Sequence, residues 1–247
     1  MGNLQAIFPE DRHAYVIAAS SEDPLYPATN AQTPERQMVP WHATSTSGQW
    51  LRADLFASRT IAGVDLRNVS ATGYVVETSA DALAWTTRAT GTLTANTWTL
   101  RYQGVIAFTP VSARYVRVTF SGVLGGATFV SCAGLSVLGI ITTTDQNFGA
   151  LSVDARQRMT VLEDLEQSNV EGEMAVAYRF GKEHWHRATG NTLTTLRRLR
   201  RLGNSSVLLH ENNGDPAESY LCRLAQASDF RISFRTVAAE MIFHELV

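Results

Sequence analysis

The residues of this sequence with the types and spacing to grip a metal are His184 and His186, in the segment EHWHR. On a strand, side chains two apart point to one face, and two imidazoles there could share an ion. No third ligand stands near them in the sequence, so a surface strand carrying two histidines is the plainer reading. Glu163, Asp164 and Glu166 are of the kind that divides acid and base work in glycoside cleavage. Such carboxylates face each other about 5–10 Å apart across a cleft, usually from different strands, whereas a local run reads as a solvated turn. No glycine-rich phosphate loop, HExxH, CxxC or GxSxG segment occurs. The expectation is a protein that is not an enzyme, with no catalytic residue, no cofactor and no metal.

The two cysteines, Cys132 and Cys222, carry no metal-type spacing and read as buried thiols in a reducing cytoplasm. The start, MGNLQAIFPEDRHAYV, has no basic stretch followed by an apolar one, and no apolar segment is long enough to span a bilayer. Membrane insertion is therefore not expected. All basic residues except Lys182 are arginines, and the net charge is −2. Up to residue 141 the chain has nine basic and nine acidic residues; beyond it, twelve and fourteen. Neither half is a polyelectrolyte, which argues against sequence-specific nucleic acid as a partner. The sharpest local charge is at Arg197, Arg200 and Arg201, which share one side of a helix. A solvated face is the plainest reading; a subunit interface against an acidic 163–173 segment of a neighbouring copy is the second, and contact with DNA passing through a tube the third, disfavoured because the domain as a whole is acidic.

In the first half the chain reads as β structure. From Trp50 to Ile141, segments rich in Val, Ile, Thr, Tyr and Trp recur about every ten to fifteen residues, without helical period. QWLRADLF sets Trp50, Arg52 and Asp54 against Leu51, Ala53 and Leu55, and IAGVDLRNV, GYVVETSA, TWTLRYQG, VIAFTPV, ARYVRVTF and AGLSVLGI follow as further strands. That is the pattern of a two-sheet sandwich, whose core can bury Trp50 and Trp85. Arg114 and Arg117, an odd number apart, are expected on opposite strand faces, unable to form one basic patch. The polar, aperiodic run from Ile141 to Gly149 marks a boundary, giving domains 1–141 and 142–247. In the second domain, strands RQRMTVLEDLE, EGEMAVAYRFG, SSVLLHEN, SYLCRLAQAS and RISFRTVAAEMIFHELV surround one amphipathic helix at about 192–202. There Leu193, Leu196, Leu199 and Leu202 form a stripe, Asn191 or Thr192 caps the start and Gly203 ends it. NNGDP at 212–216 is a turn. The fold class is all-β: two β-sandwich domains, the second with one helix.

Several of these pieces, in order, resemble the discoidin, or factor 5/8 type C, family of galactose-binding-like jelly rolls. They are Pro27-Ala28-Thr29-Asn30, the Gln49-Trp50-Leu51-Arg52-Ala53-Asp54-Leu55 strand, Ile61 to Arg67, Tyr74 to Asp81 followed by Trp85, and Ala113-Arg114-Tyr115-Val116-Arg117-Val118. The resemblance implies ligand binding in loops at one end of the barrel, through aromatic and basic tips. The matching loop lies between Leu25 and Gly48, with Tyr26, Trp41 and His42 as its tip residues. The cysteine pair that braces many extracellular members has no counterpart here. The second half is similar, in architecture more than motif, to the β-sandwich-plus-helix domain of bacteriophage distal tail and hub proteins. Together the two resemblances imply a structural component of a tailed-phage virion, assembled in the host cytoplasm. Its partners would be other copies of itself in a ring (a trimer or hexamer), neighbouring tail-tube and hub proteins, and, where the discoidin-like domain faces the host, a host-surface glycan. The alternative is a soluble carbohydrate-binding module or lectin.

Overall fold

The computed structural model describes residues 4–32, 39–96, 102–143, 152–156, 175–179, 185–186, 194–195, 197–199, 201–202, 205–211, 217, 219–227, 231–232, 236–238 and 241–245. The chain divides into two compact units: Ile7–Ile141 with Gly214–Ser219, and Met1–Ala6 with Thr142–Asn213 and Tyr220–Val247. Among the described residues both are built almost wholly of strands, and the fold is all-β.

The first unit contains β2 (Val16–Ala19), β3 (Trp41–His42), β4 (Trp50–Val69), β5 (Ala71–Ser79), β6 (Thr86–Thr92), β7 (Thr94–Ala95), β8 (Tyr102–Val123) and β9 (Ser131–Leu138); β1 (Leu4–Ile7) precedes them. The hydrogen-bonded order is β3-β9-β4-β8-β5-β6, with β2 on β4 and β7 on β8. QWLRADLF and IAGVDLRNV, expected as two strands, form the one bent strand β4; VIAFTPV and ARYVRVTF likewise join in β8. The bends lie where the antiparallel register shifts, between Asp54 and Arg59 and between Ile61 and Gly63. The second shift sets Pro110 in a bulge, the place in a sheet where a missing backbone N–H costs no ladder bond. At the first, Phe56 takes a φ of 63° and its N–H is held by Asp54 Oδ1 at 2.8 Å.

Each bent strand therefore serves two layers. Residues 50–54 of β4 pair with β2 and with 115–119 of β8, while 63–69 pair with β9. Between the layers lies one core that includes Leu51, Ala53, Leu55, Val64, Leu66, Val116, Val118, Phe120, Leu135 and Val137. The period-2 pattern read from QWLRADLF is observed, Leu51, Ala53 and Leu55 being inside and Trp50, Arg52 and Asp54 half-exposed. In the second layer the opposite face is buried too. Asp65, Arg67, Gln103 and Ser136 have no more than 4% of their surface exposed. Arg67 donates to Asp65 at 2.9 Å and to the Ser219 carbonyl at 2.7 Å, and Asn96 and Gln103 donate to the Ala217 and Ser219 carbonyls. The short returning segment is thus pinned through its backbone.

In the second unit β1, β10 (Thr142–Thr143), β14 (Ser206–Glu211), β15 (Ser219–Ala227) and β18 (Met241–Glu245) form a sheet of order β10-β1-β14-β15-β18. The first strand of the chain, which a division at residue 141 assigns to the first domain, pairs here, Gln5 opposite Thr143 and Ala6 opposite Thr142. β11 (Ser152–Arg156) pairs with β12 (Ala175–Arg179), and β17 (Thr236–Ala238) lies between β13 (Trp185–His186) and β16 (Arg231–Ile232). Of the expected helix, Thr194, Thr195 and residues 197–199 are helical, and Leu199 and Leu202 are buried as the leucine stripe requires. Asn191, Thr192, Leu193, Leu196, Gly203 and the 212–216 turn lie outside the described residues.

Candidate functional site

The loops at one end of the first unit are held by short polar ties rather than by length of strand. Asp23 accepts the Leu25 N–H at 2.8 Å, Glu22 accepts that of Ala28 at 2.7 Å, and Asn30 donates to the Pro40 carbonyl. Backbone bonds run from Asp23 N to His42 O and from His42 N to Tyr26 O, so the 23–26 turn is laced to β3. Beneath it Gln49, buried, accepts from the hydroxyls of Ser20 and Ser21 at 2.7 and 2.5 Å and donates to Ser45 Oγ and Ser47 O. One amide thus ties two loop segments together, Ser20–Ser21 and 45–47, and every one of these bonds is internal.

β3 is two residues long, and its two side chains part. Trp41, opposite Cys132, is turned inward and fully buried, its ring 6.2 Å from that of Phe120 and its indole N–H donating to the Ser21 carbonyl at 3.0 Å. Its expected place at the loop tip is therefore corrected: a strand bonded to β9 must send alternate side chains to opposite faces, and this one goes to the core. His42 takes the outer side and is sandwiched, its ring 3.9 Å from Tyr26 and 4.3 Å from Phe129, both nearly parallel. All three rings are half-exposed. Two of the sequence's three candidates are thus brought together, and Phe129, which the sequence reading passed over, completes the stack. Burial pushes the His42 pKa below its ordinary value, with the charge of Asp23 opposing. The neutral imidazole, which can both donate and accept, is the form favoured at neutral pH.

The tryptophans expected in the core, Trp50 and Trp85, are instead half-exposed on the outside of the β2-β4-β8-β5-β6 layer. Trp50 shares the phase of Arg52 and Asp54, and Trp85 lies against the Arg117 guanidinium, 4.2 Å from Cζ to ring centroid. Arg114 and Arg117 do not separate to opposite faces. The shift of register beside Ala113 breaks the alternation. Arg114 reaches Asp54 with two bonds of 2.8 Å and lies over the Tyr115 ring, while Arg117 pairs with Glu77 at 2.8 Å. The Asp54 carboxyl is held below the ordinary carboxylate range chiefly by its bonds from Arg114.

The remaining candidates are described only in part. Arg197 and Arg201 are exposed; Arg200 lies outside the described residues, as do His184, Glu163, Asp164, Glu166 and the rest of 163–173. Of His186 only the backbone is described, in β13. Among the described residues no group of three or more His, Cys, Asp or Glu is gathered to hold a metal. Cys132 and Cys222 are both buried thiols, not a disulfide.

Residues 16–135 match the family model of the F5/8 type C domain. The first half is accordingly a discoidin-like domain. No curated protein matches the chain. Among solved structures, CBM32 of AlyQ in complex with 4,5-unsaturated mannuronic acid is 21% identical, over 52% of this chain and 98% of that one, with a TM-score of 0.45. CBM32-3 from a family 31 glycoside hydrolase of Clostridium perfringens is 26% identical, over 55% and 95%, with a TM-score of 0.45. The family 32 CBM of C. perfringens NanJ in complex with galactose is 22% identical, over 54% and 98%, with a TM-score of 0.42.

Proposed function

We propose that the chain is a non-catalytic carbohydrate-binding protein whose discoidin-like domain takes a sugar at the Tyr26–His42–Phe129 loop end. The observation that carries this reading is the half-exposed three-ring stack on a frame of internal hydrogen bonds. Flat, rigid rings can pack on the apolar face of a pyranose at little entropic cost, and a neutral imidazole edge can trade hydrogen bonds with its hydroxyls. The family match spans Tyr26, His42 and Phe129, and the discoidin resemblance implies ligand binding in loops at one end. A glycan array followed by calorimetry on the full chain tests it. Binding should be weakened about tenfold or more by Phe129→Ala or His42→Ala, at unchanged melting temperature. An array without hits, or hits indifferent to both substitutions, would sink the reading.

The reading of the whole chain as a ring-forming tail component draws on the sequence of the second half, and no observation among the described residues favours it over the binding module. Its measure is oligomeric state by mass photometry: discrete rings would promote it, and a monomer at every concentration would leave the binding module standing.

A further inference from the structure

The outside of the 50–54/115–119 ladder is unlike a solvated sheet face. Trp50, Arg52 and Asp54 follow one another on the outer side of β4, with Thr119, Arg117 and Tyr115 directly opposite on β8. Three guanidiniums lie against three half-exposed rings. Arg52 is 5.6 Å from the Trp50 centroid and 5.9 Å from that of Tyr115, Arg114 is 4.9 Å from Tyr115, and Arg117 is 4.2 Å from Trp85. Such stacking holds the long side chains upright and uses none of their N–H donors, which lie in the guanidinium plane.

Charge separates the three. Arg114 is matched by Asp54 and Arg117 by Glu77. Among the described residues Arg52 has no carboxylate within ion-pair distance. Among the described residues the face thus carries one cation without an ion pair, Arg52, set between two rings and near enough to Asp54 to feel its charge.

We propose that this face is a second binding surface, separate from the loop end, and that its occupant is a strand of acidic polysaccharide. Along β4 outward side chains recur about every 7 Å, so ring and cation alternate on the scale of a polymer that offers a sugar face and then a carboxylate. A pyranose packs beside the half-exposed indole of Trp50, and Arg52 forks onto a uronate carboxylate. A protein partner fits less well, because every ring here is flanked by a charge, and interface cores are depleted of charge.

The test is affinity electrophoresis of the full chain in gels containing polygalacturonate, dextran or poly-glutamate. Polygalacturonate should retard the protein, less so as salt rises. Arg52→Gln, which keeps the stem, should weaken retardation about tenfold, the loss expected for one charge-assisted contact. Its melting temperature and any loop-end glycan binding should be unchanged. Trp50→Phe should weaken retardation less than Arg52→Gln does. Four outcomes overturn the proposal: no retardation, retardation equal in Arg52→Gln, equal retardation by dextran, or equal retardation by poly-glutamate, which would mean that charge alone is read. Loss of polygalacturonate retardation in Phe129→Ala would also overturn it, by assigning the polymer to the loop end. Failure of the loop-end reading itself shows in the glycan array and leaves this gel result independent.

Discussion

The indole of Trp41 lies tilted against Phe120 in the core, 6.2 Å between ring centroids, while its N–H is spent on the carbonyl of Ser21. One side chain therefore joins the packing of the two layers to the backbone of the loop that carries Tyr26. Trp41→Ala should destabilise the protein by about 3–5 kcal/mol, the usual cost of emptying a large buried aromatic site. Trp41→Phe should cost less, since it keeps most of the volume and loses the hydrogen bond. Chemical denaturation followed by a signal of the first unit reads both. A destabilisation by Trp41→Ala of under about 1 kcal/mol would mean that the indole packs loosely.

Trp41 also shows where the sequence was readable and where it was not. The alternation in QWLRADLF already placed Trp50 with Arg52 and Asp54, away from Leu51 and Leu55, and the structure keeps that phase. Assigning Trp50 to the core followed its residue type against its own strand. Trp41 offers no such phase, because its strand is two residues long and only the pairing with Cys132 decides its side. His42 and Tyr26 were legible as polar and aromatic loop residues. Phe129 was not, since its partner is 87 residues away and no local pattern announces a contact made by two loops. Arg114 failed for a third reason: parity along a strand holds only while register holds, and register slips beside Ala113.

His42 gives the first unit a pH dependence whose sign follows from its surroundings. Burial between Tyr26 and Phe129 lowers its pKa in the folded state, so below about pH 6.5 the unfolded chain takes up the proton more readily. Folding stability attributable to this residue is complete above that pH and declines as pH falls through 6.5 towards the folded-state value. His42→Phe, which keeps a ring in the stack and does not titrate, should remove that part of the decline between pH 7.5 and 5.5. Denaturation midpoints at four pH values compare the two proteins. Parallel curves would show that His42 is not the titrating group.

Cys132 should be chemically silent in the folded protein. Its sulfur is buried, hydrogen-bonded to the carbonyl of Gly134 at 3.3 Å, and burial pushes its pKa to about 12. At pH 8 only about one thiol in ten thousand would be ionised, and the thiolate is the reactive form. Maleimide or iodoacetamide labelling with peptide mapping should find Cys132 unmodified in the native state and fully modified in guanidinium. Rapid native labelling at Cys132 would show that the β3-β9 edge opens readily.

The Arg67–Asp65 pair is the most exacting electrostatic arrangement in the first unit, with side-chain exposures of 0% and 1% and a distance of 2.9 Å. Both charges have left water, so the pair persists only because each answers the other and Arg67 also serves the Ser219 carbonyl at 2.7 Å. Removing one partner is then far worse than removing both. Arg67→Ala leaves a buried carboxylate without its cation and should destabilise by about 3–5 kcal/mol. The double replacement Arg67→Met with Asp65→Leu removes the uncompensated charge and refills the volume, so its cost should be clearly smaller than that of Arg67→Ala. Its remaining cost reports what is lost when the Ala217–Ser219 backbone is held only by Asn96 and Gln103. Urea denaturation of Arg67→Met, of Asp65→Leu and of the double closes the cycle. A strictly additive result would show that the two groups do not act as a pair.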